Sequence, residues 1–343
     1  MKRYASMLLC SAVLLVGGCS DDKPATGGDA PRVLDGGADQ NVGDVTIDPD
    51  AGQTDGTPAD AVTDTRPPLP DGPLPTTFGG SRPVTLQVPA SYDSKKSYPL
   101  VFILHGFLAW GSIQKGLFGH GALVDSREFL LAAPNGTQNA AGIRFWNATD
   151  ACCGFGATVD DVGYLRGLIT EISNVYNVDP KRVYMIGHSN GGFMSYRMAC
   201  EASDKVAAIV SLAGAMFNDK ADCKPSQRVS VLQVHGTLDA VIAYNGGRTN
   251  PLDATTAYPS AKTSVDDWRQ YNGCTAGLKA RSAKYNMDSL IPGDETSSDG
   301  YDGCPTGIDV ELWTIAAGSH LPSLIGSDFA AKTLDWLFAH PKP

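Results

Sequence analysis

The sequence predicts an α/β fold, a mostly parallel central sheet with helices on both faces. Three observations lead there. Short apolar runs begin near Val84, Leu100, Phe129, Val183, Val206, Val229 and Val310, and continuous runs of that length are strands buried on both sides. Helical spacing lies between many of them, notably over 162–176, 191–202, 261–271 and 327–339, and alternating strands and helices build parallel sheets. One run, Arg182 to Ile186, leads directly into Gly187-His188-Ser189-Asn190-Gly191 and then into a helical stretch. A strand, a tight turn and a helix in that order hold a serine on a strained turn with its hydroxyl exposed.

The chain before the fold divides in two. Lys2 and Arg3 precede a short apolar stretch, residues 7–16, too short to span a bilayer. Leu15-Val16-Gly17-Gly18-Cys19-Ser20 resembles the lipobox of bacterial lipoproteins. The resemblance implies a signal peptide over 1–18, lipid attachment at Cys19 and a membrane anchor at the outer membrane or cell surface. An ordinary signal peptide, and so a secreted protein, is the other reading. Residues 19–76 read as a disordered tether. From Asp21 to Thr76 there are twelve aspartates, no glutamate and three basic residues, and such a segment buries too little apolar surface to offset its ordering entropy. Its Asp-Gly pairs lack the spacing and closing glutamate of a calcium loop. This stretch carries −9 of the chain's net −10, and with Lys2 and Arg3 set aside residues 77–343 keep about −3. Nothing in that balance points to nucleic acid. Residues 77–343 suit one α/β domain.

A serine hydroxyl needs a histidine to take its proton and a carboxylate to orient that histidine. In α/β-hydrolases the chain order is serine, acid, histidine. Three of the six histidines follow Ser189: His235, His320 and His340. His340 falls in the last helix and reads as a surface residue. His235 ends an apolar run. His320 follows the run 310–315 in the loop Ala316-Ala317-Gly318-Ser319-His320-Leu321-Pro322, at the carboxyl end of a strand, where open α/β sheets place catalytic groups. His320 is therefore the expected base. The expected acid is Asp239, on the loop after the run that ends at Gly236. Asp253 and Asp266-Asp267 are its rivals, the latter pair looking like first-turn residues of a helix. The oxyanion hole needs two backbone N–H groups. Asn190, after the nucleophile, is one; Phe107, after Leu104-His105-Gly106, is the other, with His105 a structural prop for that loop. Trp110, Phe145, Trp146 and Tyr164 are candidates to line a substrate pocket.

Of eight cysteines, six remain after Cys10 and Cys19 are removed. An even number in an exported domain suggests disulfides, and the spacings match no zinc pattern.

Taken together, Gly187 to Glu201, the loop His235-Gly236-Thr237-Leu238-Asp239, Leu104-His105-Gly106, Cys152-Cys153 and Val159-Asp160-Asp161-Val162-Gly163-Tyr164 resemble the polyhydroxybutyrate depolymerase and feruloyl esterase family. So does the tail from Trp268 through Cys274 to Tyr301-Asp302-Gly303-Cys304. The resemblance covers about residues 80–340. It implies the α/β-hydrolase fold and an exported serine esterase acting on hydroxycinnamoyl, acetyl or polyester substrates without a cofactor. It also implies the pairings Cys200–Cys223, Cys274–Cys304 and Cys152–Cys153. The histidine motif departs from the family's: Leu321 stands where a tryptophan is usual. A serine peptidase on the same fold and an inactive, anchored binding protein are the alternative readings.

Overall fold

The computed structural model describes residues 72–154 and 156–343. The signal segment 1–18, Cys19 and all of the tether up to residue 71 lie outside the described residues. Ten strands are hydrogen-bonded into one sheet: β1 (Thr77–Phe78), β2 (Val84–Gln87), β3 (Tyr98–Leu104), β4 (Leu130–Ala132), β5 (Val178–His188), β6 (Ala208–Leu212), β7 (Ser230–Gly236), β8 (Leu278–Tyr285), β9 (Thr296–Tyr301) and β10 (Val310–Ile315). Their spatial order is β1-β2-β4-β3-β5-β6-β7-β10-β9-β8. The six strands from β4 to β10 in that order run parallel. Two antiparallel strands flank them on each side.

The apolar runs become central strands because both of their faces are covered. On β3, Leu100, Phe102 and Leu104 enter one core and Val101 and Ile103 enter the other. The helices α1 (Gly111–Phe118), α2 (Val124–Arg127) and α6 (Phe329–Ala339) contribute Phe118, Val124, Phe329 and Leu334 to the second core. The first core takes α3 (Asp161–Val175), α4 (Asn190–Glu201) and α5 (Ala261–Asn272) through Leu165, Phe193 and Trp268. Capping sets two starts: Asp160 accepts from Gly163 N–H at 2.7 Å, and Ser260 accepts from Thr263 N–H at 2.9 Å. The helix expected from residue 327 begins at Phe329 instead.

The two antiparallel strands β8 and β9 carry no apolar run. Leu278–Tyr285 is an edge strand rich in Lys and Arg and mostly exposed, a composition that discourages pairing with another chain. The packed domain also reaches back beyond the expected start at residue 77. Leu74 packs against the first core, Pro75 O accepts the Tyr176 hydroxyl at 3.2 Å, and Thr76 O accepts Leu86 N–H at 2.7 Å. Among the described residues no helix is long and apolar enough to cross a membrane.

The implied disulfides are present: Cys200–Cys223, Cys274–Cys304 and Cys152–Cys153. The first ties the end of α4 to the segment before β7; the second ties the end of α5 to the turn after β9.

Trp268 is fully buried, donates Nε1–H to Val229 O at 2.8 Å and meets the Tyr196 ring edge-on. Trp268→Ala is expected to destabilise the domain by about 3–5 kcal/mol, read as a lower guanidinium midpoint.

Candidate active site

The turn between β5 and α4 leaves little freedom. Ser189 has φ 52° and ψ −121°, a strained conformation for a residue with a side chain. A Cβ at Gly187 would lie 1.9 Å from Gly191 O, and one at Gly191 would lie 2.2 Å from Leu104 O. Both glycines are therefore required for β5, α4 and the end of β3 to meet. Asn190 opens α4, where the first N–H groups of a helix have no intrahelical acceptor. Its buried side chain is committed elsewhere: Oδ1 accepts Trp146 N–H at 2.6 Å and Nδ2 donates to Trp146 O at 2.9 Å.

The loop after β3 lies against the elbow. A Cβ on Gly106 would sit 3.4 Å from Ser189 Cβ and 3.1 Å from His188 Nδ1. His105 props this loop as expected: Gly136 N–H donates to its Nε2 at 2.9 Å, so its Nδ1–H donates to Gly106 O at 2.7 Å. Burial pulls its pKa down to about 4. Leu108 next to Phe107 holds φ 69°, so the loop is itself strained.

Asp239 and His320 come together. His320 Nδ1 lies 2.8 Å from Asp239 Oδ2. The other carboxylate oxygen, Oδ1, accepts Val241 N–H and Ile242 N–H at 2.8 Å each. Burial works to raise the Asp239 pKa, but hydrogen bonds from His235 and His320 outweigh it and hold the carboxyl well below the usual range. The two loops that carry this pair are stitched to each other: Leu238 N–H donates to Gly318 O at 2.9 Å and Ala317 N–H to Thr237 Oγ1 at 2.8 Å. The His320 loop is moored to the elbow through His188, whose Nε2–H donates to His320 O at 2.8 Å; the two rings are 4.9 Å apart.

Sequence reasoning missed His188 as a mooring and His235 as a neighbour of the acid. His235 Nε2 lies 3.3 Å from Asp239 Oδ2. His235 is the penultimate residue of β7, four positions before Asp239, and this adjacency is the signal that could have found it. The rivals serve the scaffold. Asp253 caps a turn through Thr255 N–H. Asp266 lies in the second turn of α5 rather than the first, bonded to Arg269 and the Tyr301 hydroxyl. His340 is partly buried rather than a free surface residue, with Nδ1 2.7 Å from Trp336 O.

Two of the expected pocket residues are corrected. Trp146 is wholly buried beside His105 and presents no surface to a ligand. Tyr164 sits on α3, donates its hydroxyl to Arg82 O at 2.7 Å and stacks under the Arg82 guanidinium, pinning the N-terminal strands. Phe145 is buried as well. Trp110 is half exposed at the start of α1, in the series Trp110, Ile113 and Leu117 spaced for one helix face, all exposed. Beside them lies a mainly apolar cavity of about 200 Å³, walled by Leu117, Phe118, His188, Leu321, Leu324 and Ile325.

The chain matches the phospholipase/carboxylesterase family model over residues 161–263. It is 30% identical over 250 residues to feruloyl esterase B of Piromyces equi, covering 70% of this chain and 42% of that protein. Feruloyl esterase D of Neurospora crassa is 26% identical over 258 residues, covering 71% and 76%. The chain thus spans less than half the length of the first of these relatives. An acetyl xylan esterase structure from Aspergillus awamori superposes with a TM-score of 0.53 at 14% identity, over 78% of this chain and all of that one; this likeness is one of fold.

Three buried histidines predict a pH dependence. Burial lowers His105 and His188 to about 4 and His120 to about 3. The unfolded chain binds these protons near pH 6.5 and the native state refuses them. Stability is thus complete above pH 6.5 and falls as the pH drops towards 4, by on the order of 3 kcal/mol for each such histidine. Urea midpoints that stay constant between pH 7 and 4.5 would contradict this.

Proposed function

We propose that the chain, which has the α/β-hydrolase fold and is similar to feruloyl esterases, is a serine carboxylesterase working through an acyl-enzyme. The observation that carries the reading is the His320–Asp239 pair, 2.8 Å apart, on a loop tethered to the residue next to a strained Ser189.

In this reading Ser189 attacks the ester carbonyl while His320 takes its proton at Nε2. The carboxylate of Asp239 holds the proton on Nδ1, fixing the tautomer and stabilising the imidazolium as it forms. The carbonyl oxygen turns towards the N–H groups of Asn190 and Phe107, each such donor being worth about 3 kcal/mol to the transition state. His320 then returns the proton to the leaving alcohol, and water, activated by the same histidine, clears the acyl group from Ser189.

The substrate is an ester with an apolar group next to the scissile bond, of feruloyl or acetyl type. The cavity beside His188 and Leu321, each the immediate neighbour of a reacting residue, supports this assignment. The protein works outside the cytoplasm: three disulfides in one domain favour an oxidising compartment. A signal segment over 1–18, lipidation at Cys19, a solvated tether from there towards residue 71 and a catalytic domain that takes in Leu74, Pro75 and Thr76 complete the proposal for the whole chain.

Ser189→Ala is expected to lower p-nitrophenyl ester turnover by on the order of 10⁵-fold or more with an unchanged melting temperature, and to abolish labelling by a fluorophosphonate. Retained turnover or labelling would overturn the assignment. Leu117→Trp, in the wall of the cavity, is expected to raise KM for methyl ferulate by about tenfold and to leave acetylated xylan unaffected. Equal effects on both substrates would remove the cavity from the substrate path.

A further inference from the structure

Under the acid loop lies a buried polar chain that the mechanism above does not use. The Gln233 side-chain nitrogen is 2.9 Å from Gly214 O and 3.1 Å from His235 Nδ1. A carbonyl oxygen only accepts, so the atom facing it is the amide NH2, and the amide cannot be turned round without setting two oxygens against each other. The same NH2 therefore donates to His235 Nδ1, which must be the unprotonated nitrogen. The ring's proton is on Nε2. That proton is given to Ile242 O, 2.8 Å away, with Asp239 Oδ2 beside it at 3.3 Å.

The geometry closes a ring. His235 holds the carbonyl of Ile242, and the N–H of that residue donates to Asp239 Oδ1. His235 thus fixes the backbone that grips one carboxylate oxygen and turns the positive end of its N–H dipole towards the other. Gln233, His235 and Asp239 are all buried, so no water competes for these bonds and each keeps its strength. The Tyr244 ring stands edge-on to His235 at 5.7 Å and closes the remaining side.

Resting on the esterase reading, we propose that His235, with its tautomer set by Gln233, is a positioning residue that aims Asp239 at His320. It touches no substrate and carries no proton in the reaction. Two histidines share one aspartate, and only His320 does chemistry. The other holds the carboxylate still, and a misplacement of about 1 Å in such a group costs turnover rather than binding.

The test uses the full-length enzyme and three variants. His235→Phe keeps the volume and removes the donor; His235→Gln places an amide N–H where Nε2–H stands; Gln233→Met removes the tautomer lock without touching the ring. The expected result for His235→Phe is a kcat lower by about 10- to 100-fold with KM within twofold of the parent. His235→Gln is expected to recover most of that loss, and Gln233→Met to show the same kcat-only defect. In the resting enzyme, the low-field proton resonance of the His320–Asp239 hydrogen bond should broaden or move in His235→Phe and return in His235→Gln. Melting temperatures identify a variant that has failed to fold, in which case the Gln233→Met result decides. A kcat within twofold of the parent, a defect in KM alone, or an unmoved resonance overturns the proposal. The resonance is read without turnover, so it separates failure of this proposal from failure of the esterase reading, which the Ser189→Ala experiment decides.

Discussion

The candidate site depends on how closely β7 and β10 are paired. They run parallel with Gly236 opposite Ile315, so the loops that follow leave the same edge of the sheet side by side. Only a glycine permits this spacing: a Cβ at residue 236 would lie 2.3 Å from Gly318 O. The loops then exchange backbone hydrogen bonds, with Thr237 N–H on Ile315 O at 3.0 Å and Leu238 N–H on Gly318 O. Asp239 and His320, 81 residues apart, thereby come into direct contact. The cost is local, a left-handed Ala317 at φ 60°, and the surrounding hydrogen bonds hold it.

The same economy of space governs the turn at Ser189. Residues 187 and 191 have no room for a methyl group, and the strained serine is held by Leu212 O, which accepts its N–H at 2.8 Å. Positive φ at Leu108, Ser189, Ala213 and Ala317 marks the loops that follow β3, β5, β6 and β10 at the carboxyl edge of the sheet. This distribution fits a site whose geometry is imposed by the packed strands beneath it rather than by the loops' own preferences.

The central strands and the four long helices were legible because periodicity reports burial. The strands that failed to show, β8 and β9, lie where one face meets solvent and apolar spacing has no reason to persist. Chain order pointed to His320 and Asp239 because the fold orders its catalytic loops. It was silent about lateral neighbours, so His235 was set aside as a base although it lies against the acid. The aromatic residues misled for a related reason. A tryptophan or tyrosine reads the same in a core as in a pocket, and Trp146 and Tyr164 are held by backbone contacts that no local spacing encodes.

The cavity wall has a different standing from the machinery it adjoins. Leu117, Leu321 and Ile325 are 42%, 65% and 72% exposed, whereas the hydrogen bonds that shape Asp239 and His320 come from backbone groups and from buried histidines behind the loops. Of the residues around that cavity, His188 and Leu212 also hold the loops beneath it, one through His320 O and the other through the Ser189 N–H. Inheritance can therefore rewrite the mouth while the interior stays fixed. A lineage carrying this scaffold is free to change what its rim admits, with little penalty to the folding of the loops beneath.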